Sequence, residues 1–242
     1  MTRPPNRDKL SGFTLIELAV AMTVIAILGA SVLMAVRVQM TQRQTAETRA
    51  ALEEAREALL AFAAANGHLA CPAIGGAPDQ GQENRDPNTG ACKSRRGLLP
   101  WSTLGIVAID GYGRRLAYAT SNEVSDVSPP ITLDTVIPAG KLSIQSGQGG
   151  STKLASDDAV IAAIWSYGAN GLFGTTADGN TIDGAATAGN DEKTNGTLAE
   201  SRVIARDISE NAAASGGAFD DEVIWLSRYV LFNRMITAGK LP

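Results

Sequence analysis

The chain has 242 residues, 44% of them hydrophobic and 19% charged, with 21 basic against 25 acidic side chains and a net charge of -4. That balance gives no general electrostatic footprint for phosphates, so nucleic acid is not expected as a partner. Beyond a helical start, residues 67–242 suffice for one core.

The opening MTRPPNRDKLSG is short and polar, with Arg3, Arg7 and Lys9 against Asp8. From Phe13 to Val36 only Glu17 carries a charge. A helix of that length spans roughly 36 Å, a little more than the ~30 Å hydrocarbon core. The positive-inside rule holds the N-terminus in the cytoplasm and sends the remainder outward. A cleaved secretory signal fits poorly, because the apolar stretch exceeds the ~7 to 15 residues expected and no A-x-A-like site follows it. Glu17 is the anomaly: a carboxylate in such a run either reaches the headgroups or has a partner.

Gly12 followed by Phe13-Thr14-Leu15-Ile16-Glu17 resembles the processing signature of type IV prepilins and type II secretion pseudopilins. The resemblance implies that a prepilin peptidase cuts after Gly12 and methylates the new amino terminus on Phe13, leaving the anchor intact. It further implies that Glu17 pairs with the terminal amine of a neighbouring subunit during filament assembly. An ammonium and a carboxylate neutralise each other where neither is well solvated.

Arg37 to Asn66 contains no Pro or Gly and is rich in strong helix formers, so the helix is expected to continue. It becomes amphipathic, with Leu52, Ala55, Leu59 and Phe62 in one stripe and Glu53, Arg56 and Glu57 outside it. The stripe is too short for a free coiled coil, and Gly67 ends the helix. The expected organisation is a leader (1–12), a transmembrane half-helix (13–36), an amphipathic half-helix (37–66) and an exported globular domain (67–242).

In that domain short β-rich runs alternate with turn residues, at 105–109, 115–120, 131–137, 141–146, 159–167, 202–206 and 221–227, and a helix is expected over Arg228 to Thr237, stopping at Gly239. The fold class is α+β, type IV pilin-like: a long N-terminal helix packed on a small antiparallel β-sheet. Cys71 and Cys92 in an exported domain favour a disulfide, which would close a Pro- and Gly-rich loop. DGYGRRLAY (110–118) is similar to a D-x-W-G-x-P-x-x-Y segment of the major pseudopilin, with Tyr112 for Trp and Arg115 for Pro. SYGANG (166–171) and the loop after it resemble that family's calcium-binding loop. Candidate calcium oxygens are Asn170, Asp178, Asn180, Asp183, Asn190 and Asp191, although the spacing is no EF-hand and such loops are often plain turns.

No phosphate loop, H-E-x-x-H or G-x-S-x-G motif occurs, and GQGGSTK has its glycines and lysine in the wrong order. His68, the lone histidine, follows the helix-ending glycine and suits a cap better than a catalytic base. Lys93, Arg95 and Arg96 form a local basic cluster that reads as solvated surface. The expectation is a non-enzymatic filament subunit of the bacterial inner membrane, with its C-terminal domain in the periplasm. Its partners would be prepilin peptidase, other pilin or pseudopilin subunits, an inner-membrane assembly platform and a separate cytoplasmic ATPase. Alternatives are a minor tip subunit that binds a secreted protein or DNA and, more remotely, a membrane-anchored enzyme.

Overall fold

The structure, a computed structural model, describes residues 14–74, 81–138, 141–147, 152–199 and 201–241, with 29–35 described by their backbone alone. It divides into two compact units, Met1–Arg43 and Gln44–Pro242. The helices are α1 (Leu15–Asn66), α2 (Trp101–Leu104), α3 (Asn122–Ser125), α4 (Asn190–Gly196) and α5 (Arg228–Thr237). The strands are β1 (Arg96–Leu98), β2 (Arg114–Arg115), β3 (Ala117–Thr120), β4 (Ser143–Ser146), β5 (Thr152–Lys153), β6 (Val160–Ser166), β7 (Thr175–Thr176), β8 (Arg202–Ile204) and β9 (Glu222–Ser227).

The first unit holds the start of α1. Its apolar side chains between Leu15 and Leu28 are exposed. Among the described residues no helix is long and apolar enough to cross a membrane. The described side chains supply an apolar stretch only from Leu15 to Leu28, against the ~20 residues a span needs. The expected membrane span over 13–36 therefore finds no support here. Phe13 and the side chains of 29–35 lie outside the described residues.

In the second unit α1 buries one face. Leu52, Ala55 and Leu59 of the expected stripe are at most 1% exposed, and Leu60 and Ala63 join them while Phe62 packs at the margin. Each fully buried leucine contributes about 1.5 to 3 kcal/mol. The helix stops because Gly67 takes φ +85°, which only glycine adopts freely, and its N–H closes on the Ala63 carbonyl at 2.8 Å.

The main sheet runs β1-β3-β6-β9 and every pairing in it is antiparallel. Strand alternation sends its side chains into two layers. Tyr118, Ala162, Ile164 and Leu226 meet the α1 leucines. Ala117, Ala119, Ala163 and Trp165 meet Leu142 and, from a second sheet ordered β5-β4-β8, Ile144 and Val203. The sheet is thus covered on one face by α1 and on the other by this small sheet. β4 and β8 are parallel, unlike the wholly antiparallel arrangement expected.

Two expected strands are absent. Over 105–109, Gly105 at φ +71° caps α2, and Ala108 at φ +50° breaks extended geometry. Over 131–137 the chain turns instead, the Thr135 N–H donating to the Thr132 carbonyl at 3.1 Å. The other five runs contain strands, shorter than expected by one or two residues. The final helix covers Arg228–Thr237 as expected, with Gly239 at φ +69° just beyond it.

Candidate functional site

Gly12 and Phe13 lie outside the described residues; Thr14 and Glu17 are the first of the motif with a geometry. The Thr14 N–H donates to Glu17 Oε2 at 2.9 Å, and the Glu17 N–H donates to Thr14 Oγ1 at 3.3 Å. The Thr14 hydroxyl adds a bond to the same carboxylate at 2.8 Å. This is a reciprocal capping box, in which each side chain takes up a backbone donor that the first turn leaves without an intrahelical partner. The Thr-x-x-Glu spacing is the sequence signal for it. Both residues remain exposed, so the carboxylate keeps acceptor capacity for a second partner.

Residues 7–33 match the prokaryotic N-terminal methylation motif. The chain carries a type IV prepilin signature. That signature belongs to structural pilin-type subunits and implies processing by a prepilin peptidase and assembly with other pilin subunits. No curated protein and no solved structure gives a significant match to the chain.

The two further stretches singled out in the sequence meet in the second unit. Asp110, 5% exposed, accepts from the Tyr112 and Arg114 N–H groups at 2.9 and 2.8 Å and from the Ser166 hydroxyl at 2.5 Å. Arg114 donates to the carbonyls of Gly168 and Ala169. The same turn lies against α1. The Gly111 N–H donates to Thr48 Oγ1 at 3.1 Å, and a Cβ on Gly111 would stand 2.1 Å from the Gln44 carbonyl oxygen. DGYGRRLAY and SYGANG therefore form one hydrogen-bonded corner that seats α1 on the sheet.

Cys71 and Cys92 are joined, with Cα atoms 5.4 Å apart. Sequence reasoning missed what else orders this loop. Arg85 donates to the carbonyls of Gly90 and Ser125 at 2.7 and 2.8 Å and pairs with Glu83 at 2.9 Å. Glu83 in turn accepts from the Cys71 N–H at 3.0 Å. His68 stands 3.1 Å from Arg85, inside this network. The basic cluster is divided: Arg96 is 4% exposed, stacked 4.6 Å over Trp165 and bonded to the Asn195 carbonyl at 2.6 Å. It belongs to the core, contrary to the expectation of solvated surface.

The six expected calcium ligands are distributed over three segments of the chain. Asp178, Asn180 and Asp183 stay on the loop after β7, Asp183 accepting from Ala185 N–H at 2.9 Å. Asn190 opens α4. Asp191 turns to Arg206, 2.9 Å away. Asn170 reaches an acidic cluster, made of Glu192, Asp220 and Asp221 with ligand atoms within 4.8 Å of one another. Its side-chain amide donates to Glu192 at 2.8 Å and its N–H to Asp220 at 2.7 Å, while its Oδ1 accepts from Leu172 N–H. Burial pushes Asp220 up to about 6 and Asp221 well above the usual carboxylate range, with Glu192 adding to both. Three carboxylates have the oxygen chemistry of a hard-cation site but fall short of the six to eight oxygens calcium takes. They were missed because Glu192 and the Asp220-Asp221 pair are far apart in the chain and only the fold unites them.

Proposed function

We propose that this chain is a non-enzymatic subunit of a type IV pilus-like or type II secretion filament. A prepilin peptidase cleaves it after Gly12 and methylates Phe13. The apolar run of 13–36 anchors it in the inner membrane with the remainder outside, and Glu17 receives the Phe13 amine of a neighbouring subunit as the filament forms.

The single observation behind this reading is the methylation motif over residues 7–33. The exposed Glu17 carboxylate is consistent with it, because the capping box occupies one oxygen and leaves the other to accept. The corner around Asp110 and Gly111 then gives the helix a fixed seat on the domain it would carry outward. The test is replacement of Gly12 in cells that hold the peptidase. Gly12→Val retains the leader and abolishes incorporation into filaments; processing and incorporation unchanged from the natural chain would refute the reading.

A further inference from the structure

β9 ends the order β1-β3-β6-β9, so only its β6 edge is paired. Among the described residues no backbone hydrogen bond joins the other edge to anything. Folded proteins guard such edges with lysine, proline or very short strands. β9 reads EVIWLS, six residues without lysine or proline and with a charge only at its first position.

A groove of about 720 Å³ lies beside its first half, lined by Glu222, Val223 and Ile224 of β9 and by Asp221 just before them. Neighbours in a strand point to opposite faces, so a groove lined by all of them follows the edge. Leu52 of α1 forms one side and the run 205–208 after β8 forms the other. The groove is therefore the open end of the layered structure, with the main chain of β9 between walls of mixed polarity, Ala205 and Ile208 among charged side chains.

Its charge selects the occupant. The two arginines on the rim are already engaged, Arg49 with Glu222 at 3.0 Å and Arg206 with Asp191 at 2.9 Å. Glu53 is paired with Arg56 at 2.6 Å, and Asp207 stands exposed on the rim. The residual field is negative. We propose that this edge accepts an extended polypeptide segment of a partner protein carrying lysine or arginine, added to β9 as a fifth strand. Main-chain bonds to β9 hold it, alternate apolar residues meet Ile208 and Val223, and its cation lies beside Asp207. β9 offers no cation between Glu222 and Ser227, so a second copy of this strand is not the complement. Nothing in the groove depends on the N-terminal segment, and removal of the leader leaves the test unchanged.

The test uses the full chain in detergent micelles and two short capped peptides, one alternating valine with lysine and one alternating valine with glutamate. Hydrogen exchange followed by mass spectrometry reads the amides of 222–227. The valine–lysine peptide slows their exchange, and the valine–glutamate peptide binds at least about tenfold more weakly. Asp207→Lys, a surface change that leaves the fold intact, erases that preference. Slow exchange of every amide in 222–227 without peptide, including those facing away from β6, protection that grows with protein concentration alone, equal effects of the two peptides, or no effect of either would each overturn the proposal.

Discussion

Gly111→Ala puts a methyl group where the structure has α1. Its Cβ would lie 2.1 Å from the Gln44 oxygen and 2.8 Å from the Gln44 carbonyl carbon, so helix and turn must separate by about 1 Å to restore ordinary contact. Gln44 O also accepts from Thr48 Oγ1 at 2.8 Å, and Thr48 Oγ1 accepts from the Gly111 N–H at 3.1 Å. Separation therefore strains two linked hydrogen bonds. Overpacking costs about 1 to 3 kcal/mol and a weakened hydrogen bond about 1 kcal/mol, together about 2 to 4 kcal/mol. For a domain of this size that lowers Tm by roughly 5 to 15 °C. Gly113→Ala is the control. It has φ +81° and nothing within 4 Å of an added Cβ, so it loses only the roughly 1 to 2 kcal/mol of a left-handed conformation. Thermal unfolding of the full chain in detergent, followed by circular dichroism, compares the two. A Gly111→Ala melting point equal to or above that of Gly113→Ala would refute the reasoning.

The remaining predictions concern the loop, the acidic cluster and the first turn. Cys71→Ser opens the Cys71–Cys92 loop, of sequence separation 21, and lowers the urea stability of the globular domain by about 3 kcal/mol; an unchanged urea midpoint would argue against it. Asp220, at about 6, holds a proton in the folded chain that the unfolded chain releases near pH ~4. Stability therefore falls as pH rises between these values, and Asp220→Asn flattens that part of a Tm-against-pH curve; a slope of opposite sign would contradict the burial argument. Glu17→Gln preserves the capping box and removes the charge, whereas Glu17→Leu removes both. Both are cleaved normally and on the order of a hundredfold depleted from sheared filaments, as expected for an amine left without its carboxylate. Normal incorporation of Glu17→Gln would reduce the residue to a helix cap.

What was legible in the sequence was whatever a local pattern controls. Leu52, Ala55 and Leu59 recur at helical spacing, and their burial follows from that spacing alone. Gly67 and Gly239 stop helices by a backbone preference each carries by itself. AVIAAIWSY is apolar but for Ser166 and the Tyr167 hydroxyl, and residues 160–166 form the fully buried β6. Where tertiary packing decides, the reading failed. GIVAI has strand composition, but Gly105 closes α2 over it. Arg96 looked like surface because nothing local shows that Trp165 and the carbonyls at the end of α4 enclose it. The acidic cluster joins residues from α4 and the approach to β9, a pairing that only the completed sheet creates. At the N-terminus the motif was readable from Gly12 to Glu17, and so was the Thr14-x-x-Glu17 spacing of the capping box that the first turn forms.

The central claim, that this chain is a processed filament subunit, rests most directly on the identity of its mature N-terminus. Mass spectrometry of the chain recovered from membranes of peptidase-competent cells would read it without any substitution. The account predicts a first residue of Phe13 bearing one methyl group on its amine, with residues 1–12 absent. Recovery of protein that begins at Met1, in cells whose other prepilins are cleaved, would contradict it.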